Sequence, residues 1–177
     1  MKLSEINIRE KKFHNELHSG KSSRKENIFY KAVYNLYEDF YEFLNNNSKG
    51  KFVLDFGCGI GSITEKVAKQ KPLKIVGADI SDVSIEKAKK RAREINLDID
   101  YRIENCEKSS FDSNSFDLIY GTGILHHLNL KNAITEINRL LKKNGKMVFV
   151  EPLGTNPIIN LYRKLTPSSR SKDEHPF

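Results

Sequence analysis

The chain has 177 residues, and 30 Lys or Arg against 23 Asp or Glu give it a net charge of +7. That length fits one domain, and 38% apolar with 30% charged residues is a globular rather than a disordered composition. No apolar run reaches the roughly 18 residues of a membrane span, the start Met1–Asn7 lacks a signal peptide's apolar core, and two cysteines, Cys58 and Cys106, are too few for a disulfide framework or a four-ligand zinc site. A reducing, cytoplasmic setting is therefore expected.

Residues 4–18 place Ile6, Phe13 and Leu17 at a loosely helical spacing and stop at Gly20. Next, Ser23-Arg24-Lys25-Glu26 has the form of a capping box, in which two side chains satisfy orphan backbone donors. It opens a helix carrying Ile28, Phe29, Ala32, Val33, Leu36, Tyr37, Phe40, Phe43 and Leu44, which runs to Asn45-Asn46-Asn47. That stripe is expected to pack on the main core, with Tyr30 or Tyr34 reaching a ligand pocket as the alternative. The stretch from Ser4 to Gly20, with only three large apolar positions at helical spacing, is expected to form a lid instead. Residues 1–48 would thus be a helical cap.

Beyond residue 50, short apolar runs alternate with helical ones. Strands are expected at 52–55, 74–78, 99–103, 116–120 and 146–150, with helices at 62–70, 82–95 and 130–142. The last helix is expected to end at Gly145 in a left-handed cap. Strand-helix repetition with continuously apolar strands predicts a parallel sheet covered on both faces, a doubly wound α/β domain of Rossmann-like type. The densest basic run, Lys87, Lys89, Lys90, Arg91 and Arg93, lies on the 82–95 helix as a solvated face. Charge excess is spread as +2, +2, +2 and +1 over residues 1–50, 51–105, 106–150 and 151–177. Such an even spread argues against a nucleic-acid surface.

In doubly wound sheets ligands bind at the carboxyl ends of the strands. The first such turn is Asp55-Phe56-Gly57-Cys58-Gly59-Ile60-Gly61, whose glycines permit a sharp turn and close approach of a ligand. Its spacing misses the Gly-x-Gly-x-x-Gly of dinucleotide folds by one residue. Asp79 closes the second strand, where an acid accepts from both hydroxyls of a ribose. Ser81 and Asp82 are better placed to cap the next helix, which leaves Asp79 for a ligand.

These residues carry a resemblance. Val53-Leu54-Asp55-Phe56-Gly57-Cys58-Gly59-Ile60-Gly61 resembles the first motif of class I S-adenosylmethionine-dependent methyltransferases, and Asp79 matches their ribose-binding acid. Asn105-Cys106-Glu107 falls where they hold adenine. Ser115 to Leu128 is similar to their fourth-strand motif, and Leu140 to Pro152 to the segment entering their fifth strand. The likeness is continuous over 50–152, which sets the cofactor-binding core at about 49–152.

The resemblance implies S-adenosyl-L-methionine as cofactor and methyl transfer to an O, N or C atom of a small-molecule acceptor. It implies that backbone at Gly57 and Gly59 brackets the methionine portion, with Asp55 holding the loop. Asp79 would bind the ribose and Ile80 would lie against adenine. Asn105, where the family often has Asp, would accept from the adenine amino group. The Cys106 amide would face the ring, and the Gly121 carbonyl would meet the cofactor's amino group. No metal and no ligand cluster are expected, and no catalytic residue is assigned. His126 and His127 are expected to pack structurally, with His126 as general base the alternative. His14 and His18 could line the entrance. The rival readings are a catalytically silent cofactor-binding module and a nicotinamide-dependent oxidoreductase.

After Glu151 the resemblance implies two further strands, an antiparallel hairpin. Residues 153–177 offer instead a short helix candidate at 156–165 and a polar, proline-punctuated tail. The expectation is a truncated copy of the fold with weak acceptor turnover. Lys146–Val150 would then be an apolar edge, covered by that helix or by a second copy in a homodimer.

Overall fold

The computed structural model describes residues 3–19 and 34–152. The capping box at 23–26 and the helix candidate at 156–165 lie outside them. Helix α1 spans Glu5–His18 and α2 spans Tyr34–Ser48. Strand β1 (Phe52–Phe56) leads to α3 (Ser62–Ala68), then β2 (Lys74–Asp79) and α4 (Asp82–Glu94). Strand β3 (Asp100–Ile103), β4 (Phe116–Thr122), a 3₁₀ turn at Leu125–His127, α5 (Leu130–Leu140) and β5 (Leu141–Val150) follow.

The five strands form one parallel sheet in the order β3-β2-β1-β4-β5. This is the expected α/β class. Chain order reverses beside β1, whose neighbours are β2 and β4, so the carboxyl ends of β1 and β4 bound a crevice. Side chains alternate across the sheet. Leu54 and Phe56 face the α5 side with Ile119, Ala133, Ile137 and Leu140. Val53, Leu118 and Tyr120 face the other side with Phe40 and Leu44 of α2 and Val67 of α3. Leu54, Ile119 and Ile137 are fully buried, each contributing about 1.5–3 kcal/mol by leaving water.

Local chemistry moves several expected boundaries. Helix α1 starts in a capping box of its own: Ser4 Oγ accepts from the Asn7 N–H, and Asn7 Oδ1 accepts from the Ser4 N–H, both at 3.2 Å. Helix α2 runs past the asparagines because Asn47 Nδ2 and Ser48 Oγ donate to the carbonyls of Phe43 and Leu44. The expected cap at Gly145 is corrected. Helix α5 stops at Leu140, Leu141 already pairs with Phe116 in the sheet, and the left-handed residue is Asn144, with φ of 67°. Gly145 is instead needed for closeness, since a Cβ there would sit 2.9 Å from the Lys142 carbonyl oxygen. The Ser81 hydroxyl caps α4 as expected by accepting from the Ser84 N–H.

Candidate cofactor site

The three glycines of the first turn all have positive φ: 81° at Gly57, 52° at Gly59 and 81° at Gly61. Their surroundings differ. A Cβ on Gly57 would strike Ile124 at 2.5 Å, and one on Gly61 would strike the Tyr101 hydroxyl. A Cβ on Gly59 would meet nothing within 4 Å. Gly57 and Gly61 are therefore packing glycines, and only Gly59 faces open space. This corrects the expectation that all three serve ligand approach.

The turn is fixed by the strand beside it. The amides of Gly57 and Cys58 donate to the Ala78 carbonyl at 2.8 and 2.9 Å. The Gly59 N–H donates to Asp79 Oδ2 at 2.8 Å, and the Ser81 N–H donates to Asp79 Oδ1 at 2.8 Å. Asp79 is thus not left free by the capping of α4, as the sequence suggested. It braces the glycine turn and the start of α4, and each of its oxygens retains a further lone pair. Burial pushes its pKa up, against the opposing effect of the two N–H donors.

Asp55 is buried and held by two hydroxyls. Its Oδ2 accepts from the Thr64 hydroxyl at 2.6 Å and the Tyr120 hydroxyl at 3.0 Å. It anchors the first turn of α3, immediately behind the glycine turn, and so bears on the loop from beneath. Burial pushes its pKa up to about 7, although the hydroxyl donors favour the ionised form.

Asn105 is buried, and both ends of its amide are used. Oδ1 accepts from the Glu107 N–H at 2.9 Å, and Nδ2 donates to Asn7 Oδ1 at 3.1 Å. Its oxygen holds its own turn, so an adenine amino group would have to share it. The Cys106 thiol lies in the core with Leu54 and Phe56. Ile80 is half-buried. Gly121 is where β4 is tightest, since a Cβ there would lie 2.7 Å from both Phe149 and the Phe56 carbonyl oxygen.

Helix α1 crosses these strand ends with a polar inner face. Asn7 and Glu10 are buried, while Ile6 and Ile8 are exposed, so the apolar spacing read from the sequence does not set its orientation. Beyond Asn105, α1 reaches Glu107 through Asn7 Nδ2 at 2.9 Å. The Ser81 hydroxyl donates to Asn15 Oδ1 at 2.5 Å, and Asn15 Nδ2 donates to Asp82 Oδ1 at 2.7 Å. Both histidines after β4 are buried. His126 Nδ1 is 2.7 Å from Glu151 Oε2, and Glu151 Oε1 accepts from the N–H groups of Ile124 and Leu125. Burial raises the Glu151 pKa, but those donors outweigh it and leave the carboxyl below its usual range. With Nδ1–H given to the carboxylate, Nε2 is the basic nitrogen of His126. His127 Nδ1 lies 3.0 Å from Glu10 Oε2.

Sequence reasoning missed Glu10, Asn7 and Glu151, because the partners that bring them to the site, His127, Asn105 and His126, lie 25 or more residues away. Only the position of Glu151 at the end of the last strand signalled a site.

A parallel sheet with a glycine turn braced by the acid ending the next strand defines a cofactor-binding α/β domain. Similarity to known proteins sharpens this. A family described as a methyltransferase domain matches residues 54–149, more than half of the chain. An uncharacterized methyltransferase of Bacillus cereus (strain 03BB102) is 31% identical over 154 residues, covering 85% of this chain and 68% of its own. The ubiquinone biosynthesis O-methyltransferase of Coxiella burnetii (strain Dugway 5J108-111) is 35% identical over 102 residues. That match covers 57% of this chain and only 43% of the relative. A solved SAM-dependent methyltransferase from Methanosarcina mazei superposes with a TM-score of 0.61 at 28% identity, over 69% of this chain and 62% of that one. The chain belongs to the class I S-adenosylmethionine-dependent methyltransferase family. A nicotinamide-dependent oxidoreductase is thereby set aside. No helix among the described residues is long and apolar enough to cross a membrane.

Proposed function

We propose that this chain binds S-adenosylmethionine at the carboxyl ends of β1 and β2 and transfers its methyl group to a small-molecule acceptor. The observation that carries the reading is the open space in front of Gly59, beside a buried Asp79 that already braces that glycine's amide. A cofactor lying there would have room against the bare glycine backbone. When bound, the cofactor supplies a sulfonium methyl already activated for displacement.

The protein's part is placement, since holding two reactants in line supplies much of the rate in such a transfer. Asp79 would accept from the ribose hydroxyls with its remaining lone pairs. Backbone of the Gly57–Gly59 turn and the Gly121 carbonyl would flank the methionine portion. Ile80 would lie on one adenine face and the Cys106 amide at its edge. Asn105 would offer the adenine amino group the remaining lone pair of its oxygen, shared with the Glu107 N–H. Asp55 would hold the loop from behind, through Thr64. Helix α1 would close over the cofactor as a lid whose polar inner face suits a polar occupant. The relative from Coxiella burnetii, named for O-methylation in ubiquinone biosynthesis, favours an oxygen on a small organic acceptor. A cytoplasmic setting goes with this reading.

Release of S-adenosylhomocysteine, measured with a panel of phenols, carboxylic acids and amines, tests it. Acceptor-dependent release is expected. Tight cofactor binding with no release from any acceptor would instead identify a silent cofactor-binding module.

A further inference from the structure

The fold also brings together three groups that the proposed methyl transfer does not use. Glu10 and His14 stand four residues apart on α1, hence on one helix face. His127 approaches from the turn after β4. His127 Nδ1 is 3.0 Å from Glu10 Oε2, and His14 Nε2 is 3.7 Å from the same oxygen. One ligand atom from each of the three residues lies within 4.8 Å of the others. The His14 and His127 rings meet edge to face, with centroids 5.2 Å apart.

We propose that Glu10, His14 and His127 form a binding site for a divalent first-row transition metal, best matched by Zn2+. Tetrahedral zinc bonded to nitrogen and oxygen at about 2.0–2.1 Å sets its ligand atoms roughly 3.3 Å apart. The two distances to Glu10 Oε2 bracket that value. The remaining histidine-to-histidine separation would close by a rotation of His14, whose side chain is 27% exposed. Two imidazoles and one carboxylate suit zinc over magnesium or calcium, which prefer all-oxygen sites. Three protein ligands leave a fourth position for water or for an oxygen or nitrogen of an acceptor.

The consequence is mechanical as well as chemical. Glu10 and His14 belong to the helix that crosses the cofactor residues, whereas His127 belongs to the core. A metal here staples α1 over the strand ends, and the lid of the proposed function becomes metal-dependent. The site itself needs no cofactor.

Titration calorimetry of the untagged, metal-free full chain with ZnCl2 tests this, together with the visible spectrum of the Co2+-loaded protein. One equivalent of zinc should bind, Co2+ should give the intense bands of four-coordination, and His14→Ala and His127→Ala should each weaken binding at least tenfold. His14 is partly exposed on a surface helix, so its replacement keeps the fold. Zinc should also slow amide exchange over residues 5–18 in the parent and not in His14→Ala. Absence of a stoichiometric zinc site, or parental affinity in either variant, would overturn the proposal. A separate titration with S-adenosylhomocysteine reports on cofactor binding, so failure of one reading is not mistaken for failure of the other.

Discussion

Two buried aspartates at the carboxyl end of the sheet do different work, and each difference is measurable. Asp55 has its ordinary pKa near 3.9 when unfolded and about 7 when folded. Below pH of about 4 it is protonated in both states. From about 4 to about 7 it is protonated only in the folded chain, so its contribution to stability is lost as pH rises through that window. Asp55→Asn retains an oxygen for Thr64 and Tyr120 without the charge. Its urea midpoint should vary less than the parent's between pH 4.5 and 7.5, with the variant gaining relative to the parent toward pH 7.5. Parallel midpoints across that range would show that Asp55 ionises freely inside the protein. The glycines separate in the same way. Gly57→Ala drives a Cβ into Ile124 and should lower the melting temperature, at an overpacking cost of about 1–3 kcal/mol. Gly59→Ala enters open space, carries the same left-handed backbone strain as Gly57→Ala, and should lose less stability than Gly57→Ala but weaken S-adenosylhomocysteine binding. Equal losses of stability in the two variants would contradict the assignment of the cradle to Gly59.

Helices α1 and α2 are held by different forces. Helix α2 buries Phe40 and Leu44 in the core, whereas α1 rests on a handful of polar contacts and leaves Ile6 and Ile8 in solvent. Exposed hydrogen bonds and little apolar burial mark segments that open readily. Hydrogen exchange should therefore find residues 5–18 less protected than 37–48, and better protected once S-adenosylhomocysteine is added. Strong, ligand-independent protection of 5–18 would remove the lid. At the other side of the sheet, β5 is an edge among the described residues, with Met147 48% exposed. Unpaired strand edges with apolar side chains invite pairing with another chain. We propose a homodimer through this edge. Sedimentation should show a concentration-dependent dimer that Met147→Lys weakens, and a parent that stays monomeric at high concentration would exclude it.

Across the whole molecule, what could be read from the sequence is what depends on local order along the chain. The five parallel strands, the turn at Asp55–Gly61 and the acid at Asp79 follow from hydrophobic period and glycine spacing, which act over a few residues. What the sequence hid depends on contacts between distant segments. That Asp79 holds the Gly59 amide, that Asn105 is engaged by Asn7, and that Gly61 makes room for Tyr101 all join residues 20 to 98 positions apart. The polar inner face of α1 was hidden for a further reason, since the helix packs on strand ends rather than on an apolar layer. The same limit applies to the acceptor, which no local pattern describes. The central claim is a cofactor site built on Asp79 and the glycine turn. Calorimetric titration of the parent and of Asp79→Ala with S-adenosylhomocysteine tests it most directly. Charge-assisted hydrogen bonds are worth roughly 1.5–3 kcal/mol each, so the account predicts saturable binding of one equivalent by the parent and at least a tenfold loss in a folded Asp79→Ala. Binding of equal strength by both proteins, or none by a folded parent, would contradict it.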